Sequence, residues 1–437
     1  MRKIKVNGYW PDKATVRRAI HRHAAASLQP LASSLVLVLL AAPLSAQTTH
    51  PIDQVRENAR SHIGPFYITP GLVLRDLGVD TNVFNEPDDP KSDFTFTLGP
   101  KADVFVPVAH TLLLQCPVGV DFVYYQKYSS ERSMNPRFAP RATIFLNRLS
   151  FFGEGSYLRT RQRPNYEIDA RSLRVEKWYG GGIGYQFSPK VGIEVSARRT
   201  DVEYDPEEIF LNVSLQQVLN RKSDTYTGTI KYAVTPLTTI VFKADTTQDR
   251  FIYSHERDAD TLRILPGVEF NARALISGSA YLGVRHFNTK SDALEDFKGM
   301  VGSATLGYTL LGRTTFTFTA ERDVTYSYER FQPYFLINSY GLTIRHRLAG
   351  KFDVMAGAAR YQYKYRNLVD PALGAPATLL EGQRIDLTHN YSGSVGYYLG
   401  PDVRLGFGTT YFQRESNYSN RREYTGFRTG VSLNYGF

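Results

Sequence analysis

The side chains that could do chemistry in this sequence are charges set at period two. Lys101, Arg198, Lys231, Lys243, Arg263, Arg285, Arg345, Arg347, Arg404 and Arg428 lie on the same parity as small or polar neighbours. So do Asp103, Asp121, Glu154, Glu194, Glu269 and Asp402. Charges repeated along a wall act on passing ions, and the larger basic set predicts a weak preference for anions. The competing expectation is a solvated wall in which these groups pair with one another. Tyrosines form a second set: Tyr124, Tyr125 and Tyr128, Tyr326 and Tyr328, Tyr361, Tyr363 and Tyr365, and Tyr397 with Tyr398. They suit an aromatic girdle at a membrane interface, or a track on which sugar rings stack.

Catalysis has no comparable signature, and the expectation is a protein that is not an enzyme. "GGGIGYQF" brings Gly180, Gly181, Gly182 and Gly184 together, yet it lies inside a strand pattern and opens no helix, so it is no phosphate loop. His286 could be grouped with Asp292 or His346, but no histidines take the HExxH spacing of a metalloprotease. The single cysteine, Cys116, forms no intramolecular disulfide and builds no cysteine-based metal site. No metal ligands and no cofactor are expected.

The elements that must carry these charges are strands. In "TLLLQCPVGVDFVYY", Leu112, Leu114, Cys116, Val118, Val120 and Phe122 share one face, and Gln115, Gly119 and Asp121 share the other. Val191, Ile193, Val195 and Ala197 repeat the pattern, as do Val403, Leu405, Phe407, Thr409 and Tyr411. A helical stripe would need a period of 3.6. Eight tight turns, at "VAHT", "LNRL", "SPKV", "TPLT", "NARA", "LGRT", "LAGK" and "LGPD", alternate with nine longer polar segments. A meander with those connections has about eighteen strands, in the range sixteen to eighteen. Short turns at one end and long loops at the other are the habit of a bacterial outer-membrane barrel. Closure satisfies every backbone group without water, which an open sheet in lipid cannot do. The expected fold is therefore an all-β, transmembrane, antiparallel up-and-down barrel. A propeller or sandwich would carry polar outward positions where this chain has aliphatic and aromatic ones.

Three segments divide the 437 residues. Residues 1–46 read as a signal peptide, with a basic lead, the apolar run "LASSLVLVLLAAPLSA" and a cut after Ala46. Residues 47–64 read as a short polar periplasmic leader, and residues 65–437 as the barrel. The formal net charge of +10 falls to +4 without the signal, with 45 basic residues against 41 acidic. That undercuts a nucleic-acid partner, which needs a concentrated basic patch. The expected partners are outer-membrane lipid, the barrel-assembly machinery, and small solutes or a polysaccharide as cargo.

The first long loop, "LGVDTNVFNEPDDPKSDFTFTLGPKADV", resembles the opening of a family of outer-membrane β-barrel porins associated with exopolysaccharide gene clusters. The matching positions are Asp80, Asn82, Val83, Phe84, Lys91, Ser92 and Asp93. The resemblance implies an outer-membrane location and a role linked to polysaccharide secretion, and it transfers no catalytic residue. The ending "SLNYGF" resembles the signal that outer-membrane barrels present to their insertion machinery, which points to Leu433, Tyr435 and Phe437. The apolar parity of that segment should face lipid, and the strand should close against the first one, near Phe66.

Overall fold

The computed structural model describes residues 50–348, 350–370, 375–376, 383–418 and 423–436. The signal segment 1–46 and Phe437 lie outside the described residues. A helix, α1 (Pro51–Asn58), precedes the sheet; His50 caps it by accepting from the Ile52 N–H, and Pro51 supplies the fixed φ that suits a first helical position. A short strand, Ser61–Ile63, then folds back on Phe66–Ile68.

Eighteen strands make the wall: β1 (Phe66–Asp80), β2 (Asp93–Val108), β3 (Leu112–Tyr125), β4 in two segments (Ser133–Phe138 and Arg141–Leu146), β5 (Leu149–Thr160), β6 (Arg174–Ser188), β7 (Val191–Tyr204), β8 (Arg221–Thr235), β9 (Thr238–Phe251), β10 (Ala259–Phe270), β11 (Ile276–Thr289), β12 (Phe297–Leu310), β13 (Thr314–Tyr326), β14 (Tyr334–Leu348), β15 (Phe352–Arg366), β16 (Ile385–Tyr398), β17 (Val403–Ser416) and β18 (Tyr424–Tyr435). Each pairs antiparallel with its neighbour, and β1 pairs with β18 from Leu72↔Tyr435 to Asp80↔Arg428, which closes the ring. The upper end of the sequence-based strand count is the observed one. β4 breaks at Ala139–Pro140, where proline has no N–H to give the ladder. The closing seam carries a bulge at Arg75 and Asp76, and there Gly78 runs so close to β18 that a Cβ would lie 2.0 Å from the Thr429 carbonyl oxygen.

Alternation sorts the side chains. Leu114, Val118, Phe122, Ile183, Val195, Ile230, Phe242, Leu282, Val284, Leu342 and Val354 point outward and are exposed. An exterior of exposed aliphatic and aromatic groups is stable in hydrocarbon and costly in water. The polarity reverses along β15. Phe352, Val354, Ala356 and Ala358 face out at its lower end, whereas Arg360, Gln362 and Lys364 continue the same outward face above them. On the inward face Asp353 lies low, and Tyr361, Tyr363 and Tyr365 lie high. The apolar belt therefore stops near Arg360, and the strands run on past it.

Candidate functional site

The candidate site is the lumen. In its wall the charges named from sequence meet one another. Arg141 and Arg198 share Glu154, at 2.8 and 2.9 Å. Arg75 and Arg137 approach Asp121, at 2.9 and 3.6 Å. Lys231 lies 3.0 Å from Glu269, which also accepts from the Tyr281 hydroxyl. Arg263 bridges Asp245 (3.0 Å) and Asp323 (2.9 Å), and Arg285 reaches the same Asp323 at 2.6 Å. Arg404 holds Asp353, and Arg428 holds Asp80 across the closing seam. Asp402 sits in a short turn and pairs with Arg60, at 3.1 Å. Lys101 and Asp103 stand two apart on β2, and Glu194 stands on β7.

Lys243, Arg345 and Arg347 have no ion-pair partner among the described residues. Arg345 lies 3.7 Å from the Met355 sulfur, and Arg347 stacks over Tyr398. A wall of paired charges presents alternating dipoles to solutes, and these three cations add positive charge that no ion pair cancels.

Above the wall, loop 161–173 leaves β5 and crosses the lumen. Arg414 of β17, on the far side of the ring, donates to the carbonyls of Tyr166 (2.7 Å) and Glu167 (3.2 Å) and to the Asp169 carboxylate (3.1 Å). Its other arm bonds Asp386 at 2.6 Å, and Arg384 holds the same carboxylate. The Tyr166 ring packs at 4.7 Å on Tyr361, and its hydroxyl meets Asn390. Asn85 ties the first loop to the Asp169 carbonyl. Glu167 is fully buried and accepts from the Ser327 hydroxyl at 2.5 Å. A buried carboxylate held this way is stable only while its donors stay in place.

Other loops close around this crossing. A helical turn, α2 (Leu215–Leu219), buries Leu215 and Leu219 against Ile168, Phe210 and Tyr328. Arg257 donates to the carbonyls of Ser327, Pro333 and Glu329, and burial lowers its pKa to about 10. Burial raises the pKa of Glu329, although Arg384 pulls the other way. The top of the β13–β14 hairpin also leaves the wall. β12 and β13 pair only between Gly302↔Arg322 and Leu310↔Thr314. Beyond that, the outward parity of the hairpin, Val324, Tyr334 and Leu336, is buried against Phe287 and Phe297, which point inward from β11 and β12. The hairpin top thus lies inside the ring.

The tyrosine readings need correction. Tyr361, Tyr363 and Tyr365 form no girdle and no open track; they face inward and are buried beneath Tyr166, Phe335 and Ile337. Tyr125 and Tyr328 are buried in loop clusters as well. The physical reason is the polarity reversal: above the belt, loops cover the inner face and water wets the outer one. The first-loop residues tie the seam together. Asp80 accepts from the Asn82 N–H and from Arg428; the Asn82 side chain donates to Glu86 and Thr425 carbonyls; Asp93 accepts from the Lys127 and Tyr128 N–H groups. Phe84 packs on Tyr128, and the Ser92 carbonyl faces Lys127. Leu433 pairs with Leu74 and Leu405, and Tyr435 with Leu72 and Val403.

His286 shares the outward face of Leu282 and Val284, and His346 bonds Thr314 lower in the wall, so no catalytic group converges there. Among the described residues, His50, Asp53 and His110 bring three ligand atoms within 4.8 Å of one another at the leader helix, a grouping across 60 residues that spacing gave no reason to suspect. Arg414, Asp386, Glu167 and Arg257 were missed altogether. The one local hint was the pair of apolar side chains, Tyr166 and Ile168, inside a polar loop.

A family model described as "Putative beta-barrel porin 2" matches residues 60–436. No curated protein matches the chain. Among solved structures, the chain is similar to the outer membrane protein OpdK from Pseudomonas aeruginosa, at 12% identity over 84% of this chain and 98% of that one, with a TM-score of 0.44. It is also similar to a BenF-like porin from Pseudomonas fluorescens Pf-5, at 11% identity over 85% and 99%, with a TM-score of 0.48. A third is the siderophore receptor PirA from Pseudomonas aeruginosa, at 10% identity over 85% and 80%, with a TM-score of 0.39.

Proposed function

This chain belongs to the putative beta-barrel porin 2 family, and from that premise of a porin-like outer-membrane barrel we propose that it is a passive channel for small hydrophilic solutes. The observation that carries the reading is loop 161–173, which spans a charged lumen and narrows it to whatever gap the loop leaves. A wide empty ring would pass molecules by size alone. A pinned loop above paired charges supports passage of small polar solutes, with Lys243, Arg345 and Arg347 favouring anions. A polysaccharide chain is the larger alternative cargo, and it requires the loop to swing aside.

A second reading is a non-conducting component of an exopolysaccharide assembly complex, or a surface receptor. The burial of Glu167, Arg257 and Tyr328 favours it, because these groups pack the outer half of the lumen. In both readings the chain is exported by residues 1–46, embedded in outer-membrane lipid, and delivered by assembly machinery that reads Leu433, Tyr435 and Phe437. Single-channel recording of the purified protein in a planar bilayer separates the two. Steady conductance in salt is the result expected of the channel, and silence at every applied voltage would leave the second reading.

A further inference from the structure

The outer surface of the barrel carries one feature that passage through the lumen does not use. Where the β13–β14 hairpin leans inward, it leaves a dent in the outer wall of about 290 Å³, lined by Arg322, Asn338, Tyr340, Arg360, Gln362 and Lys364. These are the outward residues of β13, β14 and β15 just above the apolar belt. We propose that this dent binds the phosphate group of an anionic outer-leaflet lipid.

Charge argues for it first. Three cations line the dent, and none of them has an acidic partner among the described residues; Arg322 instead donates to the Met300 carbonyl (2.9 Å) and to Asn338. On β6–β8, by contrast, two outward cations have acidic neighbours: Arg199 pairs with Asp201 and Asp224, and Lys177 with Glu203. Hydrogen bonding argues next. Asn338 is 7% exposed, and its side-chain N–H group has no partner, so a buried donor lines the dent unsatisfied. A buried donor left unpaired is costly, and an incoming anionic oxygen removes that cost. Guanidinium groups match phosphate oxygens in pairs, and a lysine adds a point charge.

The surroundings select a lipid over a free ion. Directly below the cations, Leu342, Val354, Ala356 and Ala358 continue as an exposed apolar strip on the same face. A headgroup phosphate seated in the dent would lay its acyl chains along that strip. Tyr340, 57% exposed between the two zones, offers the amphipathic ring that favours such a boundary.

The proposal rests on the outer-membrane reading, so the test keeps the two apart. Full-length mature protein, purified in a non-ionic detergent, is titrated with bisphosphorylated lipid A and followed by native mass spectrometry. Dephosphorylated lipid A and inorganic phosphate serve as the other arms. The expected result is that Arg360→Gln/Lys364→Gln weakens bisphosphorylated lipid A binding at least about tenfold, a loss of about 1.4 kcal/mol. Dephosphorylated lipid A should bind wild type as weakly as it binds the variant, and Arg199→Gln should change nothing. Equal binding by wild type and the double variant would overturn the proposal. So would displacement of the lipid by inorganic phosphate at matched concentration, which would make the dent a site for the free ion. A bilayer insertion assay on the same samples decides the other question: a barrel that inserts without discriminating phosphate defeats only the lipid site, whereas one that never inserts defeats the membrane reading.

Discussion

The lower and upper halves of the lumen are built from the same charged residue types and held together in opposite ways. In the lower wall, Lys231 of β8 pairs with Glu269 of β10, two strands away in the ring, and both side chains are partly exposed to water. In the upper half, Arg414 and Asp386 are buried, and they fasten a loop that comes from the other side of the barrel. Water screens the first kind, so each pair is worth roughly 0.2–1 kcal/mol. The second kind has given up its hydration, so removing one partner leaves a buried charge and costs about 3–5 kcal/mol. A screened pair such as Lys231 with Glu269 is thus adjustable without loss of structure, while the buried charge of the upper half is structure.

The strongest way to break the comparison is to remove the crossing itself. Replacing Asn165–Asp169 by a flexible Gly-Ser segment should raise single-channel conductance severalfold while the heat-resistant barrel band on a gel stays intact. Unchanged conductance would mean that the loop does not limit flow. Arg414→Ala should come next, because it strips donors from Tyr166, Glu167, Asp169 and Asp386 together. The expected outcome is a loop newly open to protease and noisy conductance, at a stability cost of about 3–5 kcal/mol. A quiet channel with a protected loop would show that Tyr166 stacking on Tyr361 suffices to hold it.

That contrast also explains what could be read in advance. The pleat forces side chains to alternate, so Leu112, Leu114, Cys116 and Val118 announce a face from their spacing alone. Each tight turn is equally local, and the tally of turns leads directly to eighteen strands. Arg414 and Tyr166 are 248 positions apart, and nothing at either end signals the other. The tyrosines of β15 show the boundary between the two kinds of information. Their parity was legible, but the face it meant was not, because the exterior changes from lipid to water near Arg360 and loops invade the interior at the same height. Depth in the membrane depends on strand tilt, which alternation does not encode.

In the lower wall the expected effects are smaller. Lys243→Glu should shift the reversal potential in a salt gradient toward cations by a few millivolts, with no change in stability beyond about 0.5 kcal/mol. Glu269→Gln should cost about 1 kcal/mol, since Lys231 loses its counter-charge and the Tyr281 hydroxyl keeps an acceptor. A large loss of folded protein in either case would mean that the lower wall is as interlocked as the loops.

The smallest effect should come from pH, and its sign follows from Glu329. Burial raises the pKa of this carboxyl and nearby Asp386 adds to the rise, against the pull of Arg384 and Arg257. A raised pKa means that the packed loop prefers the neutral acid. The stabilisation from that preference is complete below the ordinary glutamate range and is lost as pH rises through the raised value. Arg257 stays silent over this window, because its lowered pKa, about 10, is still well above neutrality. Acidifying from neutral through the raised value should therefore tighten the loop assembly, slow its proteolysis and reduce current through the channel. Glu329→Gln should abolish that dependence while holding the channel near its acid-state conductance at every pH. If the variant keeps the wild-type profile, the acid response belongs to another group, and the upper half of the lumen would titrate through its wall like the lower one.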